Sequence, residues 1–131
     1  MTPGRGWEPV APPAGGPAPA GAYSPAIRAG DLVFVSGQVP KDPRTGEIRG
    51  GVTEQTRQVL ENLRATLAAA GATLDDVVSI TAYLADIADW KEFNAAYAEV
   101  FREPYPTRTT VGAHLHGFLI EISAIASVRR A

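Results

Sequence analysis

The segment PTRTTVGAHLHGFLIEISAIASV, residues 106–128, decides the fold because it contains two extended runs at the end of the chain. Strands are predicted at 107–113 and 118–128, and the second alternates between two faces in the two-residue period of a strand. One face holds Phe118, Ile120, Ile122, Ala124, Ala126 and Val128, and the other holds Leu119, Glu121, Ser123, Ile125 and Ser127. Each strand carries one isolated charge, Arg108 on the first and Glu121 on the second.

Two helices are predicted upstream. The first spans 53–71 with Thr53 as its N-cap, and the second spans 89–101 with Asp89 and Glu92 forming a capping box. Apolar residues recur on each at spacings of three and four, as on a helix face that packs on a core. These stripes are Val59, Leu60, Leu63, Leu67 and Ala70, then Phe93, Tyr97, Val100 and Phe101.

The remaining strands complete a sheet. Residues 31–39 are predicted as a strand covered on both sides, joined by the turn at 41–47 to a short strand near Ile48. Residues 76–86 form another strand, in which Val78, Ile80, Ala82 and Leu84 share one face. The order is strands, helix, strand, helix, strands, which predicts an α+β sheet with two helices on one face.

The other face of this sheet is expected to need cover. Its predicted residues are semi-polar rather than fully charged, a texture more typical of a subunit interface than of free surface. They include Thr81, Tyr83, Glu121 and Ser123. The sequence therefore predicts that this face meets another subunit.

The composition limits the classes of function. The chain has 131 residues, which suits one compact domain, and residues 1–21 hold six of its eleven prolines, so they are predicted as an extended arm before a domain at 22–131. The absence of cysteine excludes disulfides, thiolate nucleophiles and cysteine-ligated zinc, and fits a cytoplasmic protein. No apolar run approaches a membrane span. Twelve basic residues against fourteen acidic ones disfavour nucleic-acid binding.

Six separated motifs then point to one family. They are AYSPA at 22–26, VSGQVP at 35–40, DPRTGE at 42–47, Asn94 with Tyr97, PTRTTV at 106–111 and IEISAIA at 120–126. In this order the motifs resemble the RidA family, also called YjgF or the L-PSP endoribonuclease family. The resemblance covers about residues 22–130, that is, every predicted element.

The resemblance implies a chorismate-mutase-like fold and a homotrimer with a central β-barrel and three clefts between subunits. It implies hydrolysis of reactive enamines and imines, such as 2-aminoacrylate and other 2-imino acids, to 2-keto acids and ammonia. No metal or organic cofactor is implied. Arg108 matches the arginine that binds the substrate carboxylate, and Glu121 matches the glutamate that positions water. The positions that match the rest of the cleft are Tyr23, Ser36, Gly37, Asn94 and Thr110, the last replacing a cysteine of many relatives.

The residues themselves fit this chemistry. An imine carbon is already electrophilic, so its hydrolysis needs a carboxylate anchor, a positioned water and proton transfers, but no protein nucleophile. A guanidinium binds a carboxylate through two parallel hydrogen bonds, and a carboxylate can orient water and exchange its proton. On this hypothesis Arg108 and Glu121 face one cleft built between subunits.

Other readings of the same residues remain open. Arg108 and Glu121 could form a structural ion pair, and a chain of this fold could bind small carboxylates without catalysis. A larger, aminomuconate-like enamine acid could be the substrate, because the segment AHLHGF at 113–118 departs from the family pattern. RNA cleavage is disfavoured by the acidic balance. His114 and His116 are two residues apart, but no third metal ligand is evident nearby.

Overall fold

A computed structural model of the chain describes residues 4–14 and 19–128. Its strands are β1 (Glu8–Val10), β2 (Ala26–Ala29), β3 (Leu32–Gln38), β4 (Val77–Leu84), β5 (Thr107–Gly112) and β6 (Ile120–Ser127), and its helices are α1 (Val52–Ala69) and α2 (Trp90–Ala98). The strands form one sheet in the order β1-β2-β3-β6-β4-β5, in which β4 and β5 are parallel and the other pairs antiparallel. The predicted α+β fold, with both helices on one face of a sheet, is confirmed.

The core lies between the helices and the inner residues of the central strands. On β6 the alternation predicted from the sequence is confirmed, since Ile120, Ile122, Ala124 and Ala126 are all buried. From α1 the core receives Val59, Leu60, Leu63 and Leu67, and from α2 it receives Phe93 and Tyr97. Burial of such side chains contributes about 1.5–3 kcal/mol each, which makes this layer the main support of the sheet.

The first part of the sheet differs from the prediction. The segment near Ile48 does not form the predicted strand and makes only one isolated bridge, to Lys41. The turn between them is closed by backbone hydrogen bonds of Asp42 with Gly46 and Glu47. The partner of β3 on this side is instead β2, whose sequence AIRA is too short to show a periodicity. On the far side of β2 the N-terminal arm adds β1 as the edge strand.

Four local predictions are wrong, and the first of them has an identifiable cause. A register shift in β4 buries Val77, and leaves Val78 45% exposed, because one extra residue in a strand reverses the alternation on one side of it. The predicted N-cap Thr53 is wrong, because helix α1 begins at Val52 with Gly51 as its N-cap. The predicted capping box is wrong, because Asp89 is the N-cap of helix α2 but no side-chain hydrogen bond caps the helix. The helix ends at Ala98 instead of at 101, so Val100 is exposed.

The side of the sheet away from the helices is uncovered in the single chain, and we call it the open face. By strand alternation and register it carries Leu32, Phe34, Thr81, Tyr83, Glu121, Ser123 and Ile125. Leu32 and Phe34 are each 38% exposed, so the prediction that β3 is covered on both sides is wrong for one chain alone.

Candidate functional site

Arg108 lies on the helix side of the sheet, among aromatic rings. It is opposite Ile80 in the parallel β4–β5 pair, and Ile80 is buried under the helices. The Arg108 Cζ lies 4.6 Å from the Tyr97 ring centroid, 5.2 Å from that of Phe93 and 5.7 Å from that of Trp90. Within residues 4–14 and 19–128, Arg108 forms no ion pair with a carboxylate. The guanidinium is therefore held by ring faces instead of by an anion.

Helix α2 builds this aromatic cradle through its periodicity. Trp90, Phe93 and Tyr97 are spaced by three and four residues, so they lie on one face of the helix and point towards β5. The half-buried Asn94 falls within the same stripe, which brings this predicted site residue to the Arg108 side. Sequence reasoning assigned no role in the site to Trp90 or Phe93, although their spacing around Asn94 was a usable signal. Contacts of a cation with such rings are each worth about 0.5–2 kcal/mol.

Thr110 lies two residues after Arg108 on β5, so both side chains are on the face of the sheet that meets the helices. Its hydroxyl is buried without a hydrogen bond to any described residue, whereas the buried Tyr97 hydroxyl lies close to the Arg108 guanidinium but outside ordinary hydrogen-bond geometry. A buried hydroxyl without a hydrogen-bond partner lowers the free energy of unfolding by about 1–3 kcal/mol. Burial raises the pKa of Tyr97 above its ordinary value of 10.0, and the positive charge of Arg108 acts in the opposite direction.

Titration of Tyr97 tests this contact. Arg108→Met keeps most of the side-chain volume but removes the charge, so we expect it to raise the Tyr97 pKa further. Since the folded-state pKa is already raised, the neutral hydroxyl contributes stability that is complete below pH 10.0 and is lost as pH rises through the folded value. Residue-specific NMR of the tyrosine ring carbons would follow it, with exposed Tyr105 as the internal control. A Tyr97 pKa that falls in the variant would contradict the contact.

Glu121 lies on the open face, opposite Tyr83 in the β4–β6 pair. Its carboxyl group stands directly against Gly37, where a Cβ atom would lie 2.9 Å from Cδ of Glu121, closer than atoms can pack. The register between β3 and β6 shifts between Val35 and Gln38, so Gly37 sits in an irregularity of the ladder. A side chain at position 37 would displace the end of the Glu121 side chain, so glycine here allows the carboxylate to keep this position.

Ser36 and Tyr23 lie on the same side as Glu121. The Ser36 hydroxyl donates to the Ser24 carbonyl at 2.6 Å, and the Ser36 amide donates to the Pro25 carbonyl at 3.0 Å. These bonds hold the loop of Tyr23 against β3. Tyr23 is 54% exposed, and with Ser36 it lines a surface cavity of about 430 Å³.

The predicted site residues thus fall into two groups in one chain. Arg108, Asn94 and Thr110 lie on the helix side, and Glu121 lies with Gly37 on the open face. Arg108 on β5 is separated from Glu121 on β6 by two strand spacings and by three residues along the strand direction. Their Cα atoms are therefore roughly 14 Å apart, and their side chains point to opposite sides of the sheet. The alternative of an ion pair between them within the chain is wrong, and a single chain does not bring them to one small substrate.

Two other features bear on metal binding and on membrane insertion. His114 and His116 lie in the β5–β6 connection with ring centroids 5.6 Å apart, and the described part of the chain holds no group of three metal-binding side chains. Among the helices of residues 4–14 and 19–128, none has the length and apolar content needed to cross a membrane.

Comparison with known proteins now places the chain. The family model described as Endoribonuclease L-PSP matches residues 14–128, which include every site residue discussed above. The chain belongs to the RidA/YjgF family. Among the members of this family, a RutC family protein of Pyrococcus horikoshii is 50% identical over 113 residues, which are 84% of this chain and 90% of that protein.

Two further relatives of the RidA/YjgF chain are informative. The Arabidopsis thaliana protein named Reactive Intermediate Deaminase A, chloroplastic, is 44% identical over 115 residues, covering 86% of this chain and 62% of that protein. The crystal structure of E. coli TdcF with bound serine has a TM-score of 0.86 and 34% identity, covering 93% of this chain and all of that chain.

Proposed function

We propose that the protein hydrolyses reactive enamines and imines derived from amino acids, such as 2-aminoacrylate and small 2-imino acids, to 2-keto acids and ammonia. The observation that carries the proposal is the guanidinium of Arg108, held on three aromatic rings without a carboxylate partner among the described residues. A fixed cation in a partly desolvated position is costly unless an anion joins it. A substrate carboxylate would be that anion.

Family relatives support this choice of substrate. One relative is named as a reactive intermediate deaminase, and another was crystallised with bound serine, an amino acid that carries the carboxylate and the nitrogen on one carbon. A 2-imino acid carries the same two groups. Arg108 would bind its carboxylate through two parallel hydrogen bonds, and Asn94 on the same side would contact the polar end of the substrate.

The reaction itself requires only water. In the proposed step, Glu121 orients a water whose oxygen forms a bond to the imine carbon, while its proton passes by way of the carboxylate to the nitrogen. The tetrahedral intermediate then breaks its C–N bond as the nitrogen takes a second proton from the new hydroxyl. Ammonia leaves, and the C–O bond becomes the carbonyl of the keto acid. An enamine first takes a proton on its terminal carbon and releases one from its nitrogen, which gives the imine.

The opposite placement of Arg108 and Glu121 extends the proposal to assembly. Because one chain directs them to different sides of its sheet, we place the site between subunits, with Arg108 from one chain and Glu121 from its neighbour. A homotrimer supplies three such pairs, since a head-to-tail interface that closes after three subunits repeats each contact three times. Leu32, which is partly exposed on the open face, would be buried in this assembly.

The first test is an assay in which a pyridoxal-phosphate-dependent dehydratase generates 2-aminoacrylate or its four-carbon homologue. We expect the wild-type protein to accelerate keto-acid release above the rate in buffer, and no metal or organic cofactor to be needed. A wild-type protein that binds small carboxylates without changing this rate would favour a non-catalytic binding module, and activity only on bulkier enamine acids would favour the aminomuconate-like alternative.

Mixed trimers test whether the site is shared. Arg108→Ala and Glu121→Gln chains with different tags are produced together, and trimers that contain both are purified through both tags. In any such trimer one Glu121→Gln chain supplies an intact Arg108 to an Arg108→Ala neighbour with an intact Glu121. We therefore expect about one third of wild-type activity, from one intact site in three. Mixed trimers as inactive as either variant alone would contradict a shared site.

A further inference from the structure

The N-terminal arm places a tryptophan beside the Glu121 side of the site. In the β1–β2 pair Pro9 lies opposite Ile27, and Ile27 lies opposite Phe34 of the open face. Trp7 is two residues before Pro9, and it is half-buried, with the Arg5 Cζ 5.0 Å from its ring centroid. Pairing of β1 in the sheet therefore positions the indole over the open face.

The indole closes one wall of a cavity of about 430 Å³. The other walls include Tyr23, Ile27, Phe34 and Ser36. The lining is mostly aromatic and aliphatic, its hydroxyl-bearing residues are Tyr23, Ser24 and Ser36, and none of the described residues that line it is charged. Its volume lies in the range of small-molecule pockets, about 300–1,000 Å³. Such a lining suits an apolar group and offers nothing to a second carboxylate.

The polar end of this cavity adjoins the catalytic side of the proposed site. Ser36 lines the cavity, and the next residue, Gly37, is in contact with the Glu121 carboxyl group. A substrate whose reacting carbon lies near Glu121 therefore has an apolar cavity one residue away along β3. The side chain on that carbon is the part of a 2-imino acid that can enter it.

We infer that Trp7 is a specificity-determining residue, which makes this cavity a pocket for the large apolar side chain of a 2-imino acid. The inference rests on the proposed function and names its substrate class, namely imines of amino acids with aromatic or long aliphatic side chains. One methylene group more or less in an apolar pocket changes kcat/KM by about 10- to 200-fold, so the preference is measurable as a ratio of the kcat/KM values of two substrates.

The test compares two imines generated by an amino-acid oxidase, one from phenylalanine and one from alanine. The quantity measured is the ratio of their kcat/KM values. We expect Trp7→Ala to lower this ratio about tenfold and Trp7→Phe to keep most of it. Arg5→Ala is the matched control in the same arm, because Arg5 stacks on Trp7 but does not line the cavity, and it should leave the ratio unchanged. An unchanged ratio in Trp7→Ala would overturn the inference.

Two further readouts separate this inference from the proposed function. Light scattering shows whether Trp7→Ala alters the oligomeric state; a loss of assembly together with loss of hydrolysis of both imines would mean that a second copy occupies the cavity, which overturns the inference. If no imine is hydrolysed, the proposed function fails, and calorimetry with phenylpyruvate and pyruvate decides about the pocket. Tighter binding of phenylpyruvate that Trp7→Ala abolishes would support it, and equal or absent binding of the two would overturn it.

Discussion

Replacement of Arg108 by alanine is expected to lower kcat/KM for a small 2-imino acid about 100- to 1,000-fold. Hydrogen bonds to charged groups contribute about 1.5–3 kcal/mol each, so loss of two from one carboxylate costs about 3–6 kcal/mol, and water that solvates the freed carboxylate brings the net cost to the lower end of this range. Each 1.36 kcal/mol is tenfold in rate. Most of the effect should appear in KM, because the substrate carboxylate is bound before and during the reaction. Steady-state kinetics in the dehydratase-coupled assay measure it.

The control for Arg108 is another arginine on the same part of the chain. Arg102 is exposed, and its nearest carboxylate, on Asp75, is 3.9 Å away, so Arg102→Ala should stay within twofold of wild type. Arg108→Lys keeps the charge without the planar fork and should fall between wild type and Arg108→Ala. Circular dichroism confirms that each variant is folded. An Arg108→Ala enzyme with wild-type kcat/KM would refute the proposed anchor.

Glu121→Gln is expected to lower kcat about 100- to 10,000-fold, the range of a lost general acid or base, while KM changes little. The amide has almost the shape of the carboxyl group, so its packing against Gly37 is kept and the loss is specific to proton transfer. The split between kcat and KM distinguishes this role from that of Arg108. Saturation kinetics with the same substrate provide both constants.

An exposed carboxylate serves as the control for Glu121. Glu61 pairs with Arg64 one helical turn away on the surface of α1, and removal of such a pair changes stability by about 1 kcal/mol or less. Glu61→Gln should therefore match wild type in both constants. If Glu121→Gln instead raised KM at unchanged kcat, Glu121 would be a binding group, and the water would be positioned by another residue.

The parts of the fold that were predictable are those in which burial produces a long periodic pattern. The alternation of β6 and the stripe of α1 span many residues, so each specifies its element. Strand β2 has only four residues, and its pairing with β3 depends on contacts that no local pattern reports. The reversal of exposure at Val77 and Val78 has the same origin, because a register shift is set by the partner strand.

The candidate site residues were proposed from the family motifs, and the alternation of β6 predicted the side of Glu121, but the direction of Arg108 was not predicted. The strand around Arg108 reads TRTTV, in which neither face is consistently apolar, so no alternation indicates which side chains point towards the helices. Pairing with the buried Ile80 settles the direction of Arg108, and pairing with Tyr83 agrees with the side that alternation predicted for Glu121. The direction of Arg108 depends on long-range register, which is why its separation from Glu121 emerges only in three dimensions.

The placement of Arg108 and Glu121 on opposite sides of one sheet has a consequence for how activity depends on protein concentration. If each site takes one charge from each of two chains, the active species forms by mass action, and dilution below the dissociation constant of the assembly removes activity while every chain stays folded. Substitutions on the open face would then act as loss-of-activity mutations without touching substrate. In a cell, the abundance of the protein would set both the number of sites and the fraction of them that exists.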